Sequence, residues 1–334
     1  MSIVYVSEPT TRIGTEENRI VIDNEDGLKQ SFPIESVEGI TFLSRAHITV
    51  ACMEKCLHLG IPVSFMTKSG HYFGRLVSTG HVSAELQRRQ SSLYDTDFAK
   101  DFSKRIIHAK TRNQLTVLKR YAKSRNVDIS DIKSQMCISI AKISVAESIS
   151  ELMGYEGQCA KLYFAGLSKC IEEKFAFNGR NRRPPKDPFN SLISLAYSIL
   201  MNEIYNEIEN KGLNPYFGFM HRDAEKHPTL ASDLLEEWRA PLADSLAMSL
   251  INGHELGEEH FVLGTLNKPG CFLTKDGIKI FLKKFEKKLQ TKVSYLSYAN
   301  HQVSFRRAIS MQVGRLVQAI TEGDASCYEP LIIR

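Results

Sequence analysis

Residues 18–33 read NRIVIDNEDGLKQSFP. Two short runs flank the dipeptide Asp26-Gly27, a turn signal that joins strands in a hairpin because both residues tolerate positive φ. The neighbouring sequence has the same texture. SIVYVSE (2–8), VEGITFL (37–43), GIPVSFMTK (60–68) and HYFGRLVS (71–78) are strand-length runs with turns every eight to twelve residues. One helix, at about 49–59, interrupts them. Strands of this length and spacing predict a small β-sandwich-like domain over residues 1–82.

From about Ser83 the pattern changes to long stretches without Gly or Pro, with apolar residues at three- and four-residue spacing. Ile106, Leu115, Val117, Leu118 and Tyr121 fall in one helix. A second is predicted over 129–153, starting near the cap candidate Ser130. Further helices are expected at 156–173, 188–211, 229–251, 275–289 and 302–322. The fold class is therefore α+β, a β-rich N-terminal domain followed by a larger all-α domain over 83–334. No repeats or low-complexity tails interrupt it.

The 334 residues are 43% hydrophobic, enough for a packed core. The longest apolar runs, 61–66 and 39–43, fall far short of the roughly 18 residues that span a bilayer. The start, MSIVYVSEPTTRIG, carries no secretory pattern, which places the chain in the cytoplasm. Seven cysteines without a CxxC pair argue against a disulfide framework and a thiolate zinc site. The net charge of +5 says little alone, but its distribution says more. Residues 100–125 hold nine Lys/Arg against one acid, and GRNRRPPKD (179–187) forms a second basic tract. A basic run is commonly a solvated helix face; two together suggest a polyanionic partner.

Three places hold acids or histidine in unusual settings. In ELMGYEGQCAKLYFAGL (151–167), Glu156 stands in an apolar helical stretch, where an unpaired carboxylate is costly. It either opens a helix after Gly154, favoured by the helix dipole, or is held by a partner. His221 follows GLNPYFGFM (212–220), a run that reads as a buried loop; it is a hydrogen-bonded structural residue or a ligand. In PTLASDLLEEWRAP (228–241), Asp233 and Glu236 are three apart and share a helix face at the border of core and solvent, while Glu237 and Arg239 turn elsewhere. Two carboxylates and an imidazole suit a hard divalent ion, Mg²⁺ or Mn²⁺, of the kind that assists phosphoryl transfer. The absence of a GxSxG elbow, a P-loop and an HExxH motif agrees with chemistry that needs no covalent nucleophile.

Four segments, MGYEGQCAKLYF (153–164), FNGRNRRPPKDPFNSLISLAYSIL (177–200), GLNPYFGFMH (212–221) and ASDLLEEWRAPLAD (231–244), stand in an order and spacing that resembles the CRISPR-associated adaptation integrase family, the first-numbered Cas protein. The resemblance covers nearly the whole chain. It implies a metal-dependent DNA endonuclease and integrase that joins the 3'-hydroxyl ends of short duplexes to a CRISPR repeat by transesterification, and that also nicks branched DNA. It places the metal ligands on Glu156, His221 and Glu236, with Asp233 supporting them, Asn190 and Tyr197 lining the site, and Arg239 able to meet phosphate. It further implies a homodimer formed through the N-terminal domain, and a heterohexamer-type assembly with the small second-numbered Cas protein. The basic tracts then gain double-stranded and branched DNA as a partner, with Lys104, Arg105, Lys110, Arg112, Lys119 and Arg120 as a DNA-facing stripe and Arg180, Arg182 and Arg183 near the active site. Two other readings remain open at this point, a DNA-binding scaffold without chemistry and a general repair nuclease acting on junctions.

Overall fold

The computed structural model describes residues 2–334 except Asp26, Leu28, Leu266 and Asn267; the side chains of Ser2 and Lys268 are also left undescribed. The N-terminal strands are β1 (Ser2–Val6), β2 (Arg12–Glu16), β3 (Arg19–Asp23), β4 (Lys29–Pro33), β5 (Val37–Phe42) and β6 (His47–Ile48). Helix α1 (Val50–Leu59) follows, then β7 (Val63–Met66) and β8 (Tyr72–Leu76). They form two four-stranded sheets, β1-β5-β7-β8 and β4-β3-β2-β6. The hairpin expected at 18–33 is present, with β3 and β4 antiparallel and Asp23 opposite Lys29. Of its turn dipeptide, Asp26 lies outside the described residues. Strand β2 was not anticipated, because its sequence RIGTE has one buried apolar residue, Ile13, and reads as loop.

One apolar cluster fills the space between the sheets. Ile13, Ile20, Ile22 and Ile48 meet Val37, Ile40, Phe42 and Val63, and Cys52 and Cys56 of α1 close one end as small apolar side chains. Thr49 starts α1 by accepting from the Cys52 N–H, and Gly60 ends it in the left-handed region at φ 68°.

The remainder is mostly helical: α2 (Ala84–Ser92), α3 (Asp97–Arg125), α4 (Ser130–Val145), α5 (Ile149–Lys169), α6 (Pro188–Asn210), α7 (Thr229–Trp238) and α8 (Ser245–Asn252). It also carries two-stranded ribbons, β9 (Phe261–Thr265) with β10 (Lys268–Leu273), and β11 (Lys292–Val293) with β12 (Val303–Ser304), around α9 (Lys275–Leu289) and before α10 (Phe305–Glu322). No helix among the described residues is long and apolar enough to cross a membrane.

Two expected helices are broken in ways that matter for the site. The stretch 129–153 divides at 146–148, where Ser148 accepts from the Glu151 N–H and Glu151 accepts from the Glu147 N–H. This pairing resembles a capping box and starts α5 at Ile149. Glu156 therefore lies two turns inside a helix, not at its N-terminus after Gly154. The stretch 229–251 divides at the π-helical turn Arg239–Asp244. Pro241 has no N–H to give to the ladder, and the wider turn absorbs that loss.

Candidate active site

The site is assembled by α3, α5, α7 and the loop before α7. Helix α7 is buried along its full length, including Asp233, Glu236 and Glu237. The expected half-solvated edge is thus an interior face, and each of its acids needs partners.

Asp233 holds the loop. Its Oδ2 accepts from the Phe219 and Met220 N–H groups at 2.7 and 3.1 Å, and its Oδ1 accepts from the His221 N–H at 3.0 Å. An added Cβ at Gly218 would lie 2.8 Å from Thr229 and 2.9 Å from Asp233 Oδ2, so glycine there lets the backbone wrap the carboxylate. The His221 ring then donates from Nδ1 to Asp233 Oδ1 at 2.6 Å. That bond fixes the tautomer and leaves Nε2 facing Glu236 Oε1 at 3.8 Å. Burial pulls the His221 pKa down, but the hydrogen bond and charge of Asp233 outweigh it, and the net direction is upward.

Glu236 and Glu156 meet at a cation. Lys110 Nζ lies 2.6 Å from Glu236 Oε2 and pairs closely with Glu156 Oε1. Arg239 Nη2 lies 3.1 Å from Glu236 Oε1. Burial alone would raise the Glu236 pKa; Arg239 and Lys110 reverse it and bring it down to about 2. Lys110, although buried, is held above its ordinary value because Glu236 and Glu156 offset the desolvation. Glu236 Oε2 and Arg239 Nε are buried without a hydrogen bond. At Oε2 the ammonium gives charge but not hydrogen-bond geometry.

Glu236 thus links three separate segments, meeting Glu156 through Lys110 on one oxygen and facing His221 Nε2 on the other, and Asp233 stands behind His221. One member of the predicted basic stripe is not a surface residue. Lys110 is 6% exposed and belongs to the acidic cluster, whereas Lys104 and Arg105 are half-buried and Arg112, Lys119 and Arg120 are exposed. Arg239 turns toward the acids, not elsewhere as expected: it stands three residues after Glu236, and that spacing puts the two side chains on one helix face. Tyr197 lies under it, ring centroid 4.9 Å from the guanidinium. Asn190 is buried at the start of α6, where it accepts from Arg180 Nη1 and the Asn181 N–H and donates to Gly179 O. It anchors the basic loop. Arg180 packs against the Tyr197 ring at 5.4 Å, while Arg182 and Arg183 are exposed.

Glu237 points away from the site. It accepts from Tyr328 Oη (2.6 Å), the Leu331 N–H (2.7 Å) and Gln312 Nε2 (3.1 Å), and burial pushes its pKa up to about 7. Glu237 thus turns elsewhere as expected, whereas Lys110, Arg239 and Asp244 are the residues that sequence reasoning missed or misassigned. For Lys110 the signal was available: Ile106, Ile107, Gln114 and Val117 share its helix face and are buried.

A divalent ion is tested by these donors. Among the described residues no three His, Cys, Asp or Glu side chains stand close enough to form a ready coordination shell. The Lys110 ammonium is a stand-in cation between the two carboxylates, and the Glu236 oxygen that makes no hydrogen bond points at it. Two carboxylates and one imidazole nitrogen form a hard, mixed donor set. The donor types fit a small divalent ion, and Glu156 and Glu236 already share one cation.

The family described as CRISPR associated protein Cas1 matches residues 4–287. A CRISPR-associated endonuclease Cas1 of Mycobacterium tuberculosis is 33% identical over 326 residues, 97% of this chain and 95% of that protein. Among solved structures, a casposase bound to integration product is similar with a TM-score of 0.87 and 21% identity, over 100% of this chain and 96% of that one. A chain of a Cas6-RT-Cas1–Cas2 complex is similar with a TM-score of 0.83 and 22% identity, over 98% of this chain but only 36% of that one. These two likenesses show the shared fold.

Proposed function

The chain belongs to the CRISPR-associated Cas1 family, and we propose that it is a metal-dependent DNA endonuclease and integrase of CRISPR adaptation. In this reading it joins the 3'-hydroxyl ends of short duplexes to phosphodiesters of the repeat, and nicks branched DNA with the same site. The observation that carries it is that Lys110 bridges Glu156 and Glu236 while His221 Nε2 faces the other oxygen of Glu236 at 3.8 Å.

Glu156, His221 and Glu236 would hold Mg²⁺ or Mn²⁺. Such an ion, when bound, lowers the pKa of a coordinated hydroxyl and neutralises charge on a phosphodiester. Asp233 keeps the proton on His221 Nδ1, so that Nε2 serves as a donor to metal and not as a general base. Arg239, with a buried Nε lacking a hydrogen bond, is the guanidinium nearest the acids and would receive a phosphate oxygen. Lys110 would leave its bridging position and remain beside the reacting phosphate as a second cation. The same reading has a homodimer, assembled through the β-rich N-terminal domain (1–82), working in the cytoplasm on duplex DNA with the small Cas2 protein; a solved Cas6-RT-Cas1–Cas2 complex with a related fold supports the Cas2 partner.

Strand transfer of a labelled short duplex into a repeat-bearing plasmid, with Cas2 present, tests the reading. Product should need Mg²⁺ or Mn²⁺ and be absent with Glu156→Ala. Product that persists in chelator, or with a folded Glu156→Ala protein, would leave a DNA-binding scaffold as the better description.

A further inference from the structure

Asp244 closes the π-helical turn that follows α7, and it is 0% exposed. Each of its oxygens is taken by a tyrosine: Tyr163 Oη donates to Oδ2 at 3.0 Å and Tyr197 Oη to Oδ1 at 2.5 Å. Tyr163 lies on α5, seven residues and about two turns beyond Glu156. Tyr197 lies on α6 beneath the Arg239 guanidinium, which itself pairs with Glu236 at 3.1 Å. One buried carboxylate is therefore bonded to the helix of Glu156, bonded to the ring that supports Arg239, and joined by six residues of main chain to the end of the helix of Glu236. No Lys or Arg forms an ion pair with it among the described contacts. A buried carboxylate held by two neutral hydroxyls is a poor device for stability alone, since apolar side chains of similar volume would fill the space without the desolvation penalty. What it supplies is a fixed angle and distance between three elements that carry site residues.

We infer that Asp244 is a positioning residue of the acidic site: through Tyr163 it sets the separation of the Glu156 and Glu236 helices, and through Tyr197 it holds the Arg239 guanidinium with its N–H edge toward the phosphodiester. The aromatic ring supports the face of the guanidinium and leaves the in-plane donors, including Nε, free for a ligand. This rests on the phosphodiester reading given above.

Three full-length variants separate the two arms. Asp244→Asn keeps the size of the side chain but accepts through one oxygen only; Tyr163→Phe and Tyr197→Phe each remove one hydroxyl. The readouts are Mn²⁺ affinity by electron paramagnetic resonance, and KM and kcat on a branched duplex at constant ionic strength. Tyr163→Phe should weaken Mn²⁺ binding about tenfold with KM little changed, as outer-sphere hydrogen bonds to metal sites generally do. Tyr197→Phe should raise KM several-fold with Mn²⁺ affinity retained, and Asp244→Asn should show both losses. A residue that only stabilises the fold would shift the melting temperature and the active fraction, but not these constants per active molecule. Wild-type Mn²⁺ affinity and KM in Asp244→Asn would overturn the inference alone. A wild-type protein that neither binds Mn²⁺ nor cleaves DNA would overturn the functional reading and this inference with it.

Discussion

Two clusters in this molecule bury carboxylates against cations, and they are built differently. In the first, Arg306 of α10 makes bidentate pairs with Glu203 of α6 (2.9 and 3.0 Å) and Glu286 of α9 (2.7 and 2.8 Å), and Tyr5 of β1 donates to Glu203. All four carboxylate oxygens have donors, and the β-rich part is tied to the helices. In the acidic site, by contrast, one oxygen of Glu236 and Arg239 Nε make no hydrogen bond, and His221 Nε2 stops 3.8 Å from its neighbour. A complete network has no role left for a ligand. An incomplete one, at equal burial, keeps donors and acceptors in reserve.

Glu156→Ala should reduce DNA cleavage by at least ~10⁴-fold, about 5 kcal/mol on the barrier, while urea unfolding shows a folded protein. Arg306→Met should do the reverse: it leaves the buried Glu203 and the half-buried Glu286 without their cation and should cost about 3 kcal/mol of stability in urea unfolding, with cleavage per folded molecule retained. Loss of activity in folded Arg306→Met would mean that the two clusters are not functionally separate.

Asp244 sharpens the contrast, because its partners are neutral. Burial raises its pKa from 3.8 to about 6, against the opposing pull of its tyrosine bonds. Its ionised form is therefore penalised in the folded state, and the stability of the wild type relative to Asp244→Asn should be greatest below pH 3.8. It should fall by about 3 kcal/mol as pH rises to 6, and change little above that. Urea unfolding of both proteins at pH 4 and pH 7.5 measures this; a constant difference would show that the carboxylate is ionised without penalty. The smallest effect concerns the surface. Replacing Lys104, Arg112 and Lys119 with Ala should reduce the slope of log DNA affinity against log salt by up to about 2.7, at roughly 0.9 per phosphate contact. An unchanged slope in the triple variant would remove α3 from the DNA interface.

What could be read in advance follows the range of the interactions involved. Period-two and period-3.6 patterns are local, and they placed β3, β4, α6 and α9 within a residue or two. The breaks at Ser148 and Pro241 were also local signals, but the strong apolar periodicity on either side obscured them. The residues alone showed the ligand candidates only as types out of place, since the links among Glu156, His221 and Glu236 depend on three packed elements, and it was the resemblance that named the set. Lys110 and Arg239 were placed on the wrong side for a related reason. Charge in a sequence suggests solvent, and only the acids opposite show that a basic side chain is interior. Asp244 gave no sign, because its partners lie 81 and 47 residues away.

The segment beyond α10 has a temporal consequence. Asn113 of α3 donates to Leu331 O and accepts from the Ile333 N–H, and Glu237 takes the Leu331 N–H and Tyr328 Oη. Glu237 is the sequence neighbour of Glu236, so the helix that carries a candidate ligand acquires its last buried donors only when residues 328–333 have emerged from the ribosome. A growing chain would carry every candidate ligand well before it could hold them in register. Translation order would thus delay nuclease competence until residues 328–333 are available.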